Sequence, residues 1–85
     1  MAPELTLAIY QCLLQMSSNK ITPLPNITDI ANKVGVSRQA IYSWVNGKYG
    51  CLRLASYFNN VTGIVFPERI QAHNINALKL LLRIR

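Results

Sequence analysis

The segment spanning residues 27–46 constrains the fold more than any other part of the chain, because it carries two short helical patterns separated only by a glycine-centred turn. The first pattern places its apolar residues on one helix face: Ile27, Ile30, Ala31 and Val34. Gly35 can then adopt the left-handed conformation that ends a helix without a side-chain clash. The second pattern follows at once and breaks at Asn46-Gly47, so the sequence predicts two short helices packed as a helix-turn-helix.

Both helices have residues that favour their first turns. The Asn26 side chain can accept a hydrogen bond from a backbone N–H two or three residues on, and Asp29 places a negative charge where the helix dipole favours it. Ser37 is the corresponding N-cap of the second helix. Because Ile41 and Trp44 point inward, Trp44 is predicted to be a core residue rather than a base-stacking aromatic. The outward side is polar and free of acidic residues: Arg38, Gln39, Tyr42, Ser43 and Asn46.

Apolar spacing also predicts one helix before this pair and one after it. Pro3 suits a first helical position, and the helix that follows has a second apolar stripe that something else must cover: Leu7, Tyr10 and Leu14. The later helix ends at Gly63 and has a regular apolar face: Leu54, Tyr57, Phe58 and Val61. A short turn of helix is expected to begin at Pro67.

The C-terminal segment, residues 74–85, is apolar and basic and allows two structures. Asn74 can cap a helix, which is the favoured alternative, with an apolar face at Ile75, Leu78 and Leu82. A strand is the other alternative, because apolar residues also alternate at Leu80, Leu82 and Ile84. The predicted organisation is a compact all-α domain of four to five helices over residues 1–73, followed by this segment as a candidate dimerisation element. The segment and the stripe on the first helix can instead cover each other within one subunit.

Size and charge limit the function. With 85 residues, of which 51% are hydrophobic, the chain fits one folded domain rather than a disordered tail. Nine Lys and Arg against three Asp and Glu give a net charge of +6, which indicates a polyanionic partner, either nucleic acid or an anionic membrane. No stretch approaches the roughly 20 apolar residues that cross a bilayer, and Glu4 stands where a signal peptide is positive, so a cytoplasmic location is expected.

The residues for acid–base or metal chemistry are few. The acidic residues are far apart in the sequence: Glu4, Asp29 and Glu68. His73 is the single histidine, and no second metal ligand lies near it in the sequence. Cys12 and Cys51 lack the close spacing of a metal or redox motif and are interpreted as core thiols rather than a disulfide. We therefore expect no enzyme activity, no metal, no cofactor and no small-molecule ligand.

The segment spanning residues 27–46, ITDIANKVGVSRQAIYSWVN, resembles the helix-turn-helix of the Cro and phage-repressor family, whose domains are lambda-repressor-like. The matching positions are Ile30, Ala31, Val34, Gly35, Val36, Ile41 and Trp44. Asn46-Gly47 also recurs in such repressors, and residues 59–63 followed by Phe66-Pro67-Glu68 are similar to the shorter Cro-like variants. The resemblance covers roughly residues 5–70. It implies a bacterial or phage-encoded transcription regulator that binds double-stranded DNA at an operator.

The resemblance implies base contacts from the start of the second helix, which fits the major groove of DNA. Arginine matches the two acceptors of guanine and glutamine matches adenine, so Arg38 and Gln39 are the first candidates, followed by Tyr42 and Ser43. Phosphate contacts are expected from groups that flank this helix: Asn26, Thr28, Ser37, Asn46, Lys48 and Arg53. Because one helix reads few base pairs, we expect a homodimer on a palindromic operator with half-sites about 34 Å apart.

Two other functions remain open from the sequence. In the first, the helix-turn-helix is only a packing unit, and the apolar termini bind a partner protein. The second is a membrane-surface role, indicated by Lys79, Arg83 and Arg85 among leucines. It is disfavoured because the segment is short and its charges are not segregated to one face.

Overall fold

The computed structural model describes residues 4–20 and 23–84. Its regular elements are α1 (Glu4–Ser17), α2 (Ile27–Val34), α3 (Arg38–Val45), α4 (Leu52–Thr62) and α5 (Ile75–Leu82), with a 3-10 turn at Ala72–Asn74. No strand occurs in these two ranges, so the all-α prediction is confirmed and the C-terminal segment adopts the favoured helix. The prediction for Pro3 lies outside the described residues.

The caps of α2 and α3 form as the sequence predicts. Asn26 Oδ1 accepts a hydrogen bond from the backbone N–H of Asp29 at 2.9 Å. Ser37 Oγ accepts one from the backbone N–H of Ala40 at 3.0 Å. Gly35 ends α2 with a φ of +81°, in the left-handed region that side chains with a Cβ disfavour. Because the connection is this short, the two helices pack directly against each other.

The core is organised around Trp44, which is fully buried as predicted. Its indole stacks on Phe58 with ring centroids 5.3 Å apart and tilts against Phe66 at 6.1 Å. The Nε1–H group donates a 2.8 Å hydrogen bond to the backbone carbonyl of Glu68. All five α-helices contribute other buried side chains, among them Ile9, Ile30, Ile41, Leu54 and Leu78. Cys12 and Cys51 are buried, unpaired thiols, as predicted.

The first and last described helices, α1 and α5, pack side by side. Near their starts, the Thr6 hydroxyl donates a hydrogen bond to Asn74 Oδ1, and near their ends Leu13 and Leu81 line the same cavity, so the two helices run parallel. Helix α5 also packs against α3, and its buried face consists of Ala77, Leu78, Leu81 and Leu82. The C-terminal segment therefore contributes to the same core as α2 and α3.

Three local predictions are wrong. The Asn74 side chain does not cap α5, because it is buried and accepts the hydrogen bond from Thr6 instead. The expected turn of helix at Pro67 does not form; a 3-10 turn occurs later, at Ala72–Asn74. On α4 the buried face is rotated from the predicted one, so that Ala55 is buried and Val61 is 46% exposed.

Candidate nucleic-acid interface

The first turn of α3 presents two exposed polar side chains, Arg38 and Gln39, directly after the N-cap Ser37. Both are candidates for base contact. Tyr42 and Ser43 lie one turn further along and are half-buried, because α3 packs against both α2 and α5. The freely exposed polar surface of α3 is therefore concentrated at its N-terminal end and is narrower than the helical pattern predicts.

The segment after α3 carries two of the residues that are predicted to contact phosphates. Asn46 is hydrogen-bonded within the protein, whereas Lys48 is exposed. Asn46 Nδ2 donates a 2.8 Å hydrogen bond to the Tyr42 carbonyl, which also accepts one from the Asn46 backbone N–H. Gly47 then turns the chain with a φ of +74°. Lys48 is exposed, and so is Tyr49, a candidate that the sequence analysis did not include. Tyr49 could have been predicted from the sequence, because an aromatic residue with a hydroxyl group directly follows Lys48.

The residues predicted to contact phosphates at the starts of α2 and α3 retain hydrogen-bond donors that their caps do not use. Asn26 uses Oδ1 to cap α2, which leaves its Nδ2 group to donate. Ser37 uses Oγ as an acceptor in its cap, and its hydroxyl hydrogen remains free to donate. Thr28 is exposed in the first turn of α2. These groups accompany the unpaired backbone N–H groups of two helix N-termini, an arrangement that favours an anion.

Arg53, on α4, reaches the turn between α2 and α3. Its Nη1 lies 3.5 Å from the Val34 carbonyl oxygen, and a methyl group built on Gly35 would lie 3.6 Å from the same nitrogen. With Lys33 and Tyr57 it lines a shallow cavity of about 410 Å³ between α2 and α4. The fold thus brings Arg53 close to the helix-turn-helix even though α4 follows it in the sequence.

A carboxylate borders the loop after α3. A methyl group built on Gly50 would lie 3.3 Å from Oε2 of Glu68. The position of Glu68 is fixed through its backbone, because its carbonyl accepts hydrogen bonds from both Trp44 Nε1 and the Cys51 N–H. Gly50 is two residues from Lys48, so this carboxylate lowers the positive potential at one edge of the candidate interface.

The other ionisable groups of residues 4–20 and 23–84 form no metal-binding cluster. No three His, Cys, Asp or Glu side chains come together there in a way that could hold a metal ion. Burial raises the pKa of the Cys12 thiol. Burial, and then the negative charge of Asp29, raise the pKa of the Tyr57 phenol. No helix in the described part of the chain is long and apolar enough to cross a membrane.

Comparison of the chain with protein-family models, with curated proteins and with solved structures found no match. Its function is therefore inferred from its residues and their geometry.

Proposed function

We propose that this chain is a sequence-specific, double-stranded DNA-binding transcription regulator of the Cro and phage-repressor type, which reads an operator with α3. The observation that carries the proposal is the pairing of two capped helices across a left-handed glycine, with Arg38 and Gln39 exposed at the start of the second helix. Trp44 anchors the opposite side of that helix in the core. The net charge of +6 fits a polyanionic partner.

Base reading falls mainly to the two exposed residues of α3. The guanidinium of Arg38 can donate two hydrogen bonds to O6 and N7 of guanine, and the amide of Gln39 can pair with N6 and N7 of adenine. Tyr42 and Ser43 are half-buried and can contact a base only where its edge approaches α3 closely. Such contacts discriminate between bases by about 1–3 kcal/mol for each bidentate pair.

Phosphate contacts set the position of α3 in the groove. Asn26, Thr28 and Ser37 offer side-chain donors beside helix N-termini, and Lys48 and Arg53 offer positive charge on the flanks. Asn46 is the weakest member of the predicted set, because its amide nitrogen already bonds to the Tyr42 carbonyl. These contacts contribute affinity and salt dependence without sequence preference.

The proposed function includes a homodimer. An eight-residue α3 covers few base pairs, and two copies on a palindromic operator double the sequence that is read. By occupying its operator, such a dimer would block access to a promoter in the cytoplasm of a bacterial host. No catalytic residue or cofactor is needed for this action.

Selection of bound sequences from random duplex DNA tests the proposal. We expect a palindromic motif, and binding whose log K falls against log salt concentration with a slope near −7 if a dimer makes about eight phosphate contacts. Recovery of no motif, together with no retention on duplex DNA at low salt, would refute it.

The second candidate function is a protein-interaction module, which is favoured by exposed apolar side chains away from α3. Leu52, the first residue of α4, is 65% exposed, and Val65, which follows α4, is 81% exposed. Retention of a partner protein in a pull-down, with no retention of duplex DNA at low salt, would support this function over the first.

A further inference from the structure

The outer side of α1 exposes three large apolar residues. Leu7, Tyr10 and Leu14 are 54%, 43% and 68% exposed, and they follow one another at helical spacing. The inner side of the same helix is occupied, because Ile9 and Cys12 are buried in the core. We call Leu7, Tyr10 and Leu14 the α1 stripe.

The apolar surface continues from the α1 stripe onto α5. Leu80 is 56% exposed and lines, together with Leu13, Ser17 and Arg83, a shallow cavity of about 240 Å³ between the two helices. The guanidinium of Arg83 donates a 2.7 Å hydrogen bond to the Leu24 carbonyl. Ser17 lies about one helical turn beyond Leu14, so Leu80 borders the C-terminal end of the stripe. The packing of α5 on α1 therefore leaves part of both helices uncovered. Contiguous exposed apolar patches of a few hundred Å² on a protein surface are often binding sites.

Charge distinguishes this patch from the other exposed apolar surface. A two-fold contact places the same surface of each copy against itself, and the chain carries a net charge of +6, so a surface with few cations is the more favourable contact between two copies. The polar neighbours of the stripe on α1 are Gln11 and Gln15, which are exposed and uncharged. Leu52, by contrast, lines the α2–α4 cavity together with Lys33 and Arg53. A two-fold contact there would bring two cations from each copy into the interface, whereas the cavity beside Leu80 contributes one, Arg83.

The charges at the two ends of α1 also suit a second copy. Glu4 is the first residue of α1, and Lys20 lies just beyond its last turn; both are exposed. When two α1 helices pair in antiparallel orientation about a two-fold axis, Glu4 of each copy approaches Lys20 of the other. Opposite charges then meet at both ends of the α1 stripe.

We propose that the α1 stripe, extended by Leu80, is the surface through which two copies of this chain associate. This inference rests on the proposed DNA-binding function only for what the dimer does, which is to bind a palindromic operator. The inference requires that a copy bound to the outer side of α1 leaves Arg38 and Gln39, which are exposed on α3, uncovered. The molecule measures 31 × 29 × 23 Å, which is comparable with the about 34 Å between half-sites in adjacent turns of DNA.

Sedimentation equilibrium without DNA tests this surface on the full chain. The concentration should run from about 1 μM to about 500 μM, because an interface below about 800 Å² per partner is expected to dissociate reversibly. We expect the wild type to pass from monomer to dimer in this range. Leu14→Glu places two like charges in the contact and should weaken dimerisation at least about tenfold.

The matched control is Leu52→Glu, because Leu52 and Leu14 are 65% and 68% exposed and the two variants change the net charge equally. It should dimerise like the wild type. Leu7→Gln, which adds no charge, should weaken dimerisation less than Leu14→Glu and replaces it if circular dichroism shows that Leu14→Glu is unfolded. A wild type that is monomeric throughout, or equal weakening by Leu14→Glu and Leu52→Glu, overturns the inference.

The result is separable from the proposed function because no DNA is present. A chain that selects a DNA motif but stays monomeric refutes the α1 surface alone. A chain that dimerises through α1 but does not bind duplex DNA refutes the DNA-binding function alone.

Discussion

Trp44 and Glu68 join α3 to the segment that follows α4: the indole Nε1–H of Trp44 donates a 2.8 Å hydrogen bond to the Glu68 carbonyl oxygen. The same oxygen accepts a 2.9 Å hydrogen bond from the Cys51 N–H. One carbonyl thus holds together α3, the start of α4 and an extended segment. The orientation of α3 relative to the rest of the domain depends on this junction.

Two replacements of Trp44 should separate what its packing contributes to the free energy of unfolding from what its hydrogen bond contributes. Trp44→Ala removes the stack on Phe58 and should lower the free energy of unfolding by about 3–5 kcal/mol. Trp44→Phe keeps an aromatic ring, and the Glu68 carbonyl keeps its bond from Cys51, so the loss should be about 1–2 kcal/mol. Urea denaturation followed by far-UV circular dichroism measures both. Equal losses for the two variants would contradict this division.

Gly47 and Gly63 provide a matched pair for the effect of backbone crowding. Both have positive φ, +74° and +76°, so alanine at either position should cost about 1–2 kcal/mol in backbone strain. A Cβ on Gly47 would also lie 2.6 Å from the Ile70 carbonyl oxygen, whereas one on Gly63 would have no atom within 4 Å. Gly47→Ala should therefore be clearly the more destabilising variant in urea denaturation. Equal urea midpoints for the two variants would contradict this prediction and would show that the backbone around Gly47 shifts to relieve the close contact.

Arg38 and Lys48 should affect DNA binding in different ways. Arg38→Ala should weaken binding to the selected site by about 1–3 kcal/mol and leave binding to random duplex little changed, because the lost contact is to a base. Lys48→Ala should weaken both and reduce the magnitude of the salt slope by about 1, because the lost contact is to a phosphate. Fluorescence anisotropy over a salt series measures these effects. Equal loss on both DNAs for Arg38→Ala would remove Arg38 from the reading role.

Glu68→Gln should strengthen binding to random duplex DNA at low salt. The Glu68 carboxylate borders the loop that carries Lys48, and its removal raises the positive potential at that edge. Val65→Lys is the control, because it changes the net charge by the same amount at a position that is 81% exposed beside the C-terminal half of α4. The gain should be larger for Glu68→Gln and should fade as salt is raised. A larger gain for Val65→Lys would place the DNA-binding surface elsewhere.

Stability should fall in alkaline solution. The pKa of the Cys12 thiol is raised in the folded state above its ordinary value of 9.0, and that of the Tyr57 phenol above 10.0. For such groups the folded state retains the proton longer, so their contribution is fully present below the ordinary values and is lost as pH rises through the folded values. The urea midpoint should therefore decrease above about pH 9. Tyr57→Phe should reduce the part of this decrease that occurs above about pH 10, and an unchanged profile would contradict the assignment.

Signals between near neighbours in the sequence were sufficient to predict α2, α3 and the short turn between them. The Asn26 and Ser37 caps and the left-handed turn at Gly35 depend on atoms three or four residues apart, and each forms as predicted. Trp44 was placed in the core because its helical face is apolar. These features define most of the candidate interface, since Arg38 and Gln39 directly follow a predicted cap.

The errors arise where distant parts of the chain meet. Asn74 has the residue type of a cap, but the Thr6 hydroxyl, 68 positions away, takes its side-chain oxygen. Tyr42 and Ser43 are half-buried on a helix that packs against both α2 and α5, and no local pattern contains the contact with α5. Helical periodicity predicts which residues share a helix face, but tertiary packing decides which of them are buried. Val61 shares the predicted apolar face of α4 and is nevertheless 46% exposed.

The packing of α5 on both α1 and α3 has a consequence for biosynthesis. On the ribosome, α2 and α3 are synthesised before α5, so the nascent chain holds an incomplete core. We expect the domain to reach its native state only after α5 has left the exit tunnel, in one late cooperative step.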